Sequence, residues 1–252
     1  MNLVWHAARS GRGVVVLLHG AMARAATWWR IGPALSVAGW HTEAVDLPGH
    51  GEAPPLSGAF SLESFAQQTA ERMPPRTDLL IGHSLGAIVA LTLAARPGFA
   101  RAVVLEDPPG SEPDGFPAMA AGIRADADLA ARDRRALLRR TRTTNPDWAE
   151  QDVQHAIDGI VEADADGFIE ALATRPTWHL PSMVASVGLP VCVLAPPNGA
   201  LVKERRALRG LVPGEHFVVL DGGHCLHRSR PDQWLESVRR FADAVLPPTT
   251  IR

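Results

Sequence analysis

Short apolar runs of strand length alternate along this chain with longer stretches in which apolar residues recur at helical spacing. Strands that are apolar throughout are typical of a parallel sheet whose two faces are both covered by helices. The alternation therefore predicts an α/β fold, with a mostly parallel sheet and helices on both faces. The predicted strands cover Val14–Leu18, Thr42–Asp46, Leu79–Gly82, Ala102–Glu106, Pro190–Ala195 and His216–Leu220.

Helical spacing is clear in the segments between these runs. Leu62–Met73 follows Ser61, a residue suited to cap a helix N-terminus, and its apolar residues recur at steps of three and four. Leu85–Arg96 is a second predicted helix, ended by a proline and a glycine, and Pro231–Val245 is the last.

Residues 111–187 interrupt the alternation, because they carry helical pattern and no clear strand. They are predicted to form a helical cap inserted into a core made of residues 1–110 and 188–252. Residues 124–142 hold seven arginines against three aspartates, and residues 147–170 hold eight acidic side chains and no lysine or arginine. This segregation favours two solvated helix faces that pair with each other over the alternative, a patch that steers a ligand.

Composition narrows the classes of partner. The chain has 252 residues, with 25 basic against 27 acidic side chains, so a formal net charge of −2 gives no field to hold nucleic acid or an anionic membrane. The two cysteines form no disulfide framework and no zinc-ligand pattern. The chain has neither a membrane-spanning apolar stretch nor the pattern of a secretory signal. We therefore expect a cytoplasmic protein without metal, cofactor, nucleic-acid or membrane partner, whose oligomeric state stays open.

The strongest chemical signal is the motif GHSLG at residues 82–86, between a predicted strand and a predicted helix. A serine on such a tight turn adopts strained backbone angles, and the flanking glycines avoid clashes with the neighbouring strand and helix. The turn exposes the hydroxyl of Ser84, and the amide of Leu85 points from the helix N-terminus toward an oxyanion formed at the attacked carbon. Ser84 is therefore the predicted nucleophile and Leu85 a predicted oxyanion donor.

With this turn, two further motifs make the chain resemble the α/β-hydrolase superfamily over nearly its whole length. The motif HGAM at residues 19–22 follows the first strong strand, where that superfamily places an oxyanion loop, and DLPGHG at residues 46–51 matches its DxPGxG turn. The resemblance implies that the amide of Ala21 is the second oxyanion donor, with Met22 as a near alternative. It implies a structural role for the DLPGHG turn.

A serine nucleophile needs an imidazole to take its proton, and ten histidines are available. His224 lies in the segment DGGH at residues 221–224, just past the last predicted strand. This segment resembles the superfamily's GH loop. His224 is therefore the predicted base. His227 is expected at the rim, and His19 and His83 are expected to be hydrogen-bonding scaffold residues.

The triad acid is where the chain departs from the superfamily's common pattern. That pattern has an aspartate in the turn after the strand ending at Ala195, but this chain has Gly199 at the expected position. A minority of the superfamily carries the acid at the end of the strand that follows the nucleophile helix. Glu106 is accordingly the predicted acid, with Asp107 in reserve.

These residues predict an α/β-hydrolase-fold serine hydrolase, resembling esterases and lactonases, that cleaves an ester, lactone or thioester of a largely apolar small molecule. The alternatives on the same fold are a C–C bond hydrolase, an acyltransferase, a cofactor-free haloperoxidase and a non-catalytic ligand-binding protein. Large apolar residues, together with a histidine of the serine turn, are expected to line the pocket. They are Met22, Trp28, His83, Trp148 and Trp178.

Overall fold

A seven-stranded sheet forms the centre of the fold in the computed structural model, which describes residues 2–7, 11–56, 60–111, 116–174, 177–199, 201 and 203–246. The strands are β1 (Leu3–Trp5), β2 (Gly13–Leu18), β3 (Trp40–Val45), β4 (Leu79–His83), β5 (Ala102–Glu106), β6 (Val191–Ala195) and β7 (Phe217–Val219). Their order is β1-β3-β2-β4-β5-β6-β7. β1 pairs antiparallel with β3, and every other pair is parallel.

Helices connect the strands and fill both faces of the sheet. They are α1 (Ile31–Val37), α2 (Leu62–Ala70), α3 (Leu85–Ala94), α4 (Phe116–Thr144), α5 (Glu150–Glu162), α6 (Ala165–Ala173), α7 (Leu180–Ser186), α8 (Arg205–Leu211), α9 (Leu226–Ser229) and α10 (Pro231–Val245). Short 3₁₀ helices cover Ala25–Trp28 and Gly214–His216. Ser61 caps α2 as predicted, because its hydroxyl accepts from the N–H of Ser64 at 3.0 Å.

The predicted α/β fold class and all six predicted strands are confirmed, with strand ends within two residues of the prediction. The sequence pattern missed β1. That strand has three residues at the edge of the sheet, and Leu3 and Val4 are exposed, so it carries no buried alternation to detect.

The core lies in two layers, one on each face of the sheet. Val16 and Leu18 of β2 belong to the layer covered by α2, α3, α7 and α8. Val15 and Leu17 of the same strand belong to the layer covered by α1 and α10. Successive side chains of a strand point to opposite faces, so a strand between two covered faces has to be apolar throughout.

Between β5 and β6, the described residues form four helices and no strand, and the first helix, α4, is kinked at Asp133. Phe116 and Ile123 of α4 pack with Phe168 of α6 in a small cluster apart from the two main layers. α7 differs from its predecessors, because Leu180 and Val184 belong to the main core. Residues 112–115 and 175–176 of the predicted cap, and the outermost residues 1 and 252 of the predicted core, lie outside the described residues.

The two oppositely charged segments of this region pair with each other, as predicted. Ion pairs join Arg124 to Asp166, Arg134 to Asp158 and Arg142 to Glu150. Exposed pairs of this kind contribute at most about 1 kcal/mol each, so they align the helices more than they stabilise the chain. Nowhere in the described ranges is a helix both long and apolar enough to cross a bilayer.

Candidate active site

The turn between β4 and α3 holds Ser84 in a strained backbone conformation, with φ of 52° and ψ of −117°. The strain is supported by close packing on both sides. A Cβ on Gly82 would lie 2.2 Å from the carbonyl oxygen of Gly86, and a Cβ on Gly86 would lie 2.4 Å from the carbonyl oxygen of Leu18. The glycines are therefore needed for the close approach of strand, turn and helix that presents the serine.

Two backbone amides are available beside Ser84. Leu85 is the first residue of α3, so its N–H has no acceptor within the helix. Within the described residues, no acceptor is found for the N–H of Ala21 either. The N–H of Met22, the alternative donor, is already engaged, because it donates to Nε2 of His50 at 3.1 Å. The geometry thus favours Ala21 over Met22 as the second donor.

His224 is oriented by Asp107. Its Nδ1 lies 2.6 Å from Oδ2 of Asp107, whose side chain is 1% exposed. Asp107 follows β5 directly and has a positive φ of 37°, and its N–H donates to the carbonyl oxygen of Leu194 at 2.8 Å. This turn of the backbone at the strand end aims the carboxylate at the loop that carries His224.

The expectation that Glu106 lies against His224 is wrong. Glu106 is fully buried and accepts from Nδ1 of His227 at 2.8 Å and from Nε1 of Trp234 at 3.0 Å. It shares a strand face with Ala102 and Val104, which pack in the layer under α10. The extra methylene of glutamate gives reach but does not change the face, so the strand alternation points this side chain away from His224.

The glycine at the superfamily's usual acid position is explained by Asp107. A Cβ built on Gly199 would lie 2.6 Å from Oδ1 of Asp107. The carboxylate of Asp107 therefore occupies the space that a side chain at position 199 would need. A carboxylate therefore reaches the same region from the neighbouring strand β5.

Two more histidines hold the His224 loop in place. Nε2 of His83 donates to the carbonyl oxygen of His224 at 3.1 Å. Nδ1 of His227 donates to Glu106, while its Nε2 accepts from Nε of Arg228 at 3.3 Å. Burial lowers the pKa of His83 and of His227 well below the usual histidine value, and the Arg228 charge lowers both further. Both rings therefore act as neutral supports.

A cavity of about 330 Å³ is lined by Ser84 and His224. Three predicted pocket residues, Met22, His83 and Trp148, line it as well. The remaining wall comes mainly from the helices between β5 and β6, through Met119, Ile123, Asp126, Ala156 and Ile160.

Trp178 lines a second cavity of about 50 Å³, which reaches Ser84 and is otherwise walled by apolar residues. The expectation that Trp28 lines a pocket is wrong. Trp28 is fully buried in the layer under α10, with its ring centroid 4.3 Å from that of His227. The large ring fills the core because the 3₁₀ helix after the oxyanion loop packs against the sheet.

Sequence reasoning missed two residues of this site. His50 supports the oxyanion loop, and its place in the DLPGHG turn beside that loop was the available signal. Arg228 lines the larger cavity, although nothing in the sequence around it separates it from the chain's many other arginines. Among the described residues, no group of three or more His, Cys, Asp or Glu side chains is arranged to hold a metal ion.

Comparison with known proteins identifies relatives along almost the whole chain. The model of the alpha/beta hydrolase family matches residues 15–237. A pimeloyl-[acyl-carrier protein] methyl ester esterase of Aeromonas salmonicida is 30% identical, covering 92% of this chain and 97% of the relative. The biotin biosynthesis bifunctional protein BioHC of Cellvibrio japonicus is 28% identical over 93% of this chain, which corresponds to 48% of that protein. Four further curated relatives match over 25 to 47% of their own length.

Solved structures show the same fold at low sequence identity. A hydrolase from Pseudomonas aeruginosa PA01 has a TM-score of 0.74 and 20% identity, covering 95% of this chain and 92% of that chain. The enol-lactonase from Burkholderia xenovorans LB400 has a TM-score of 0.74 and 19% identity, covering 96% and 95%. The strand order, the serine turn and the family match lead to one conclusion: the chain belongs to the alpha/beta hydrolase family.

Proposed function

We propose that this chain is a serine hydrolase that cleaves carboxylic esters through an acyl-enzyme. The observation that carries the proposal is the hydrogen bond from His224 to the buried Asp107, with His224 lining the same cavity as Ser84 on its strained turn. A buried carboxylate at Nδ1 keeps the proton on that nitrogen and leaves Nε2 free to act as a base. This is the arrangement that activates a serine hydroxyl.

In the first half of the reaction, Oγ of Ser84 attacks the ester carbonyl carbon while Nε2 of His224 takes the hydroxyl proton. The amides of Ala21 and Leu85 stabilise the negative charge on the carbonyl oxygen. The tetrahedral intermediate then breaks its bond to the alcohol oxygen, which leaves with the proton from Nε2. Asp107 stabilises the imidazolium between these two transfers.

In the second half, a water molecule attacks the acyl-enzyme and His224 takes one of its protons. The bond to Oγ of Ser84 breaks, Oγ recovers the proton, and the free acid leaves. Cys225 also lines the cavity, but burial raises the pKa of its thiol to about 11, so it offers no competing nucleophile.

The walls of the two cavities favour a small substrate with apolar parts on both sides of the ester. The larger cavity is lined by Met22, Met119, Ile123 and Trp148, and the smaller one is lined by Phe60 and other apolar residues. The relatives named as methyl ester esterases support an ester with a small alcohol group. A lactone or thioester would use the same residues.

We also propose that α4, α5 and α6 act as a cap that sets substrate selectivity. α4 and α5 provide Met119, Ile123 and Ile160 to the wall of the larger cavity, and α6 provides Phe168 and Leu172 to the wall of the smaller one. The predicted cap boundary at residue 187 then lies too far along the chain, because α7 packs in the core. Ile123→Phe should narrow the cavity and lower kcat/KM for long acyl chains more than for acetate esters. An equal loss for all chain lengths would contradict this role.

Labelling with a fluorophosphonate probe tests the proposed chemistry. The wild-type chain should be labelled and should hydrolyse methyl esters, while Ser84→Ala should do neither. Ser186→Ala, which removes an exposed serine on α7, is the matched control and should be labelled like the wild type. A folded wild-type chain that is not labelled and hydrolyses no ester of a chain-length panel would favour the non-catalytic, ligand-binding alternative.

A further inference from the structure

An arginine side chain is buried in the wall of the larger cavity. Arg228 is 4% exposed and lines the cavity together with Ser84 and His224. Arginine keeps its positive charge at any working pH, so a buried one normally has a carboxylate partner. No carboxylate of the described chain forms an ion pair with Arg228.

Two contacts hold Arg228 without neutralising it. Its Nε donates to Nε2 of His227 at 3.3 Å, and its guanidinium carbon lies 4.5 Å from the centroid of the Trp148 ring. His227 is neutral and separates Arg228 from the carboxylate of Glu106, which three N–H groups already engage. Within the described residues, Nη1 and Nη2 have no hydrogen-bond acceptor.

The other charged side chain in the cavity wall does not supply the missing partner. Asp126 is 39% exposed and forms an ion pair with Arg140, which lies beyond the kink at Asp133 in α4. Arg228 is therefore the one arginine or lysine among the described lining residues, and its guanidinium N–H donors face a largely apolar cavity. A carboxylate bound there would compensate the charge and accept two parallel hydrogen bonds.

We propose that Arg228 binds a carboxylate of the substrate, so that the preferred substrate is the monoester of a dicarboxylic acid. This inference rests on the proposed ester hydrolysis at Ser84. The ester carbonyl lies at Ser84, the small alcohol group occupies the smaller apolar cavity, and the acyl chain extends through the larger cavity to Arg228. A single arginine matches the single charge of a carboxylate.

The kinetic test compares monomethyl adipate with dimethyl adipate, which has the same chain and no charge. The wild-type chain should prefer the monoester by at least about tenfold in kcat/KM, the size expected for a charge-assisted hydrogen bond. Homologous monoesters from succinate to suberate should show one preferred chain length, because the distance from Ser84 to Arg228 is fixed. Arg228→Met should bring the ratio of the two kcat/KM values close to one, and Arg132→Met, on the exposed face of α4, should keep the wild-type ratio.

A binding measurement separates this inference from the proposed catalysis. In the Ser84→Ala background, calorimetry should show monomethyl adipate binding at least about tenfold more tightly than dimethyl adipate, and the added Arg228→Met change should remove the difference. Thermal unfolding of each variant shows whether it is folded. If Ser84→Ala binds both compounds equally, or if the preference survives Arg228→Met in a folded protein, the carboxylate site is refuted even when esters are hydrolysed. If the preference in binding is present but no ester is hydrolysed, the anion site stands and the proposed hydrolysis fails.

Discussion

At the scale of single residues, two adjacent carboxylates at the end of β5 have opposite surroundings. Glu106 is locked among N–H donors under α10, whereas Asp107 turns at a positive φ toward His224. Oδ1 of Asp107 is buried and has no donor among the described residues, so His224 is the partner of that carboxylate. The direction of each side chain, rather than its length, decides which of them can orient the base.

Substitution of Asp107 by asparagine tests this division. Asp107→Asn should lower kcat by a factor on the order of 10⁴, because the amide neither fixes the tautomer nor stabilises the imidazolium. Folding should be almost unaffected, since the side chains have the same shape. Steady-state kinetics and urea unfolding measure the two effects. A variant that keeps most of the wild-type kcat would remove Asp107 from the mechanism.

Exchange of Asp107 with Gly199 is a sharper test at the same scale. Asp107→Gly removes the acid at a position where glycine suits the positive φ, and adding Gly199→Asp places a carboxylate where that of Asp107 lay. The double variant should recover part of the kcat lost in Asp107→Gly. Recovery is expected to be partial, because Cγ of Pro196 would lie 2.6 Å from the new Cβ and has to shift. A double variant no faster than Asp107→Gly would contradict the shared position of the two carboxylates.

At the scale of elements, Glu106 joins three pieces of the structure. It belongs to β5, accepts from the backbone and ring of His227 in α9, and accepts from Trp234 in α10. Burial raises the pKa of this carboxyl group, and the hydrogen bonds from His227 and Trp234 oppose the rise. The cluster fixes α9 directly after the loop that carries His224, so we expect it to be a support for that loop.

Glu106→Gln should therefore reduce stability more than chemistry. The glutamine side chain replaces one acceptor oxygen by an NH₂ group, which is itself a donor. At least one of the buried N–H groups that now donate to Glu106 therefore loses its acceptor, which costs about 1–3 kcal/mol of unfolding free energy. The loss of kcat should be far smaller than in Asp107→Asn. Urea unfolding and kinetics on the two variants together give the comparison. Unchanged stability with a loss of kcat as large as in Asp107→Asn would instead place Glu106 in the catalytic machinery.

The sequence predicts the elements of this fold well where burial gives them a pattern. Runs such as those of β2 and β5 are apolar because both faces are covered, and the glycines of residues 82–86 reveal the serine turn. β1 and the attachment of α7 to the core were missed. One is short and exposed, and the other depends on contacts with α3 and α8 that no local pattern records.

The candidate site was predictable in part for similar reasons. Ser84 and His224 lie in motifs tied to local turns, whereas the choice between Glu106 and Asp107 depends on which face of β5 meets which helix. The alternation puts Glu106 on the same face as Ala102 and Val104, but both faces of β5 are buried, so it does not show which face meets His224. Arg228 was beyond prediction, because its role depends on the absence of a carboxylate near it in space.

At the scale of the whole molecule, four buried histidines surround the site as neutral rings. Burial lowers the pKa of His19, His50, His83 and His227 below the ordinary value. In three of them one ring nitrogen accepts a hydrogen bond. The donor is the backbone N–H of Leu47 for His19, the backbone N–H of Met22 for His50, and the guanidinium group of Arg228 for His227. A proton on that nitrogen would place two donors against each other, so the fold holds these rings uncharged.

This arrangement predicts that acid weakens the fold. Below about pH 6.5 the unfolded chain binds protons on these histidines that the folded chain does not, so the unfolding free energy falls as the pH falls. Each such histidine contributes up to about 1.4 kcal/mol per pH unit to the slope of the unfolding free energy. Glu106 has a raised pKa, so it opposes this trend only in the pH range where its carboxyl group takes up a proton. Urea unfolding between about pH 7.5 and pH 5.5 measures the slope. His50→Gln should reduce that slope by about the contribution of one histidine, while Ser237→Ala, at a position in α10 that carries no titratable group, should leave it unchanged. A stability that is constant or rises toward pH 5.5 would show that the buried rings are not held neutral.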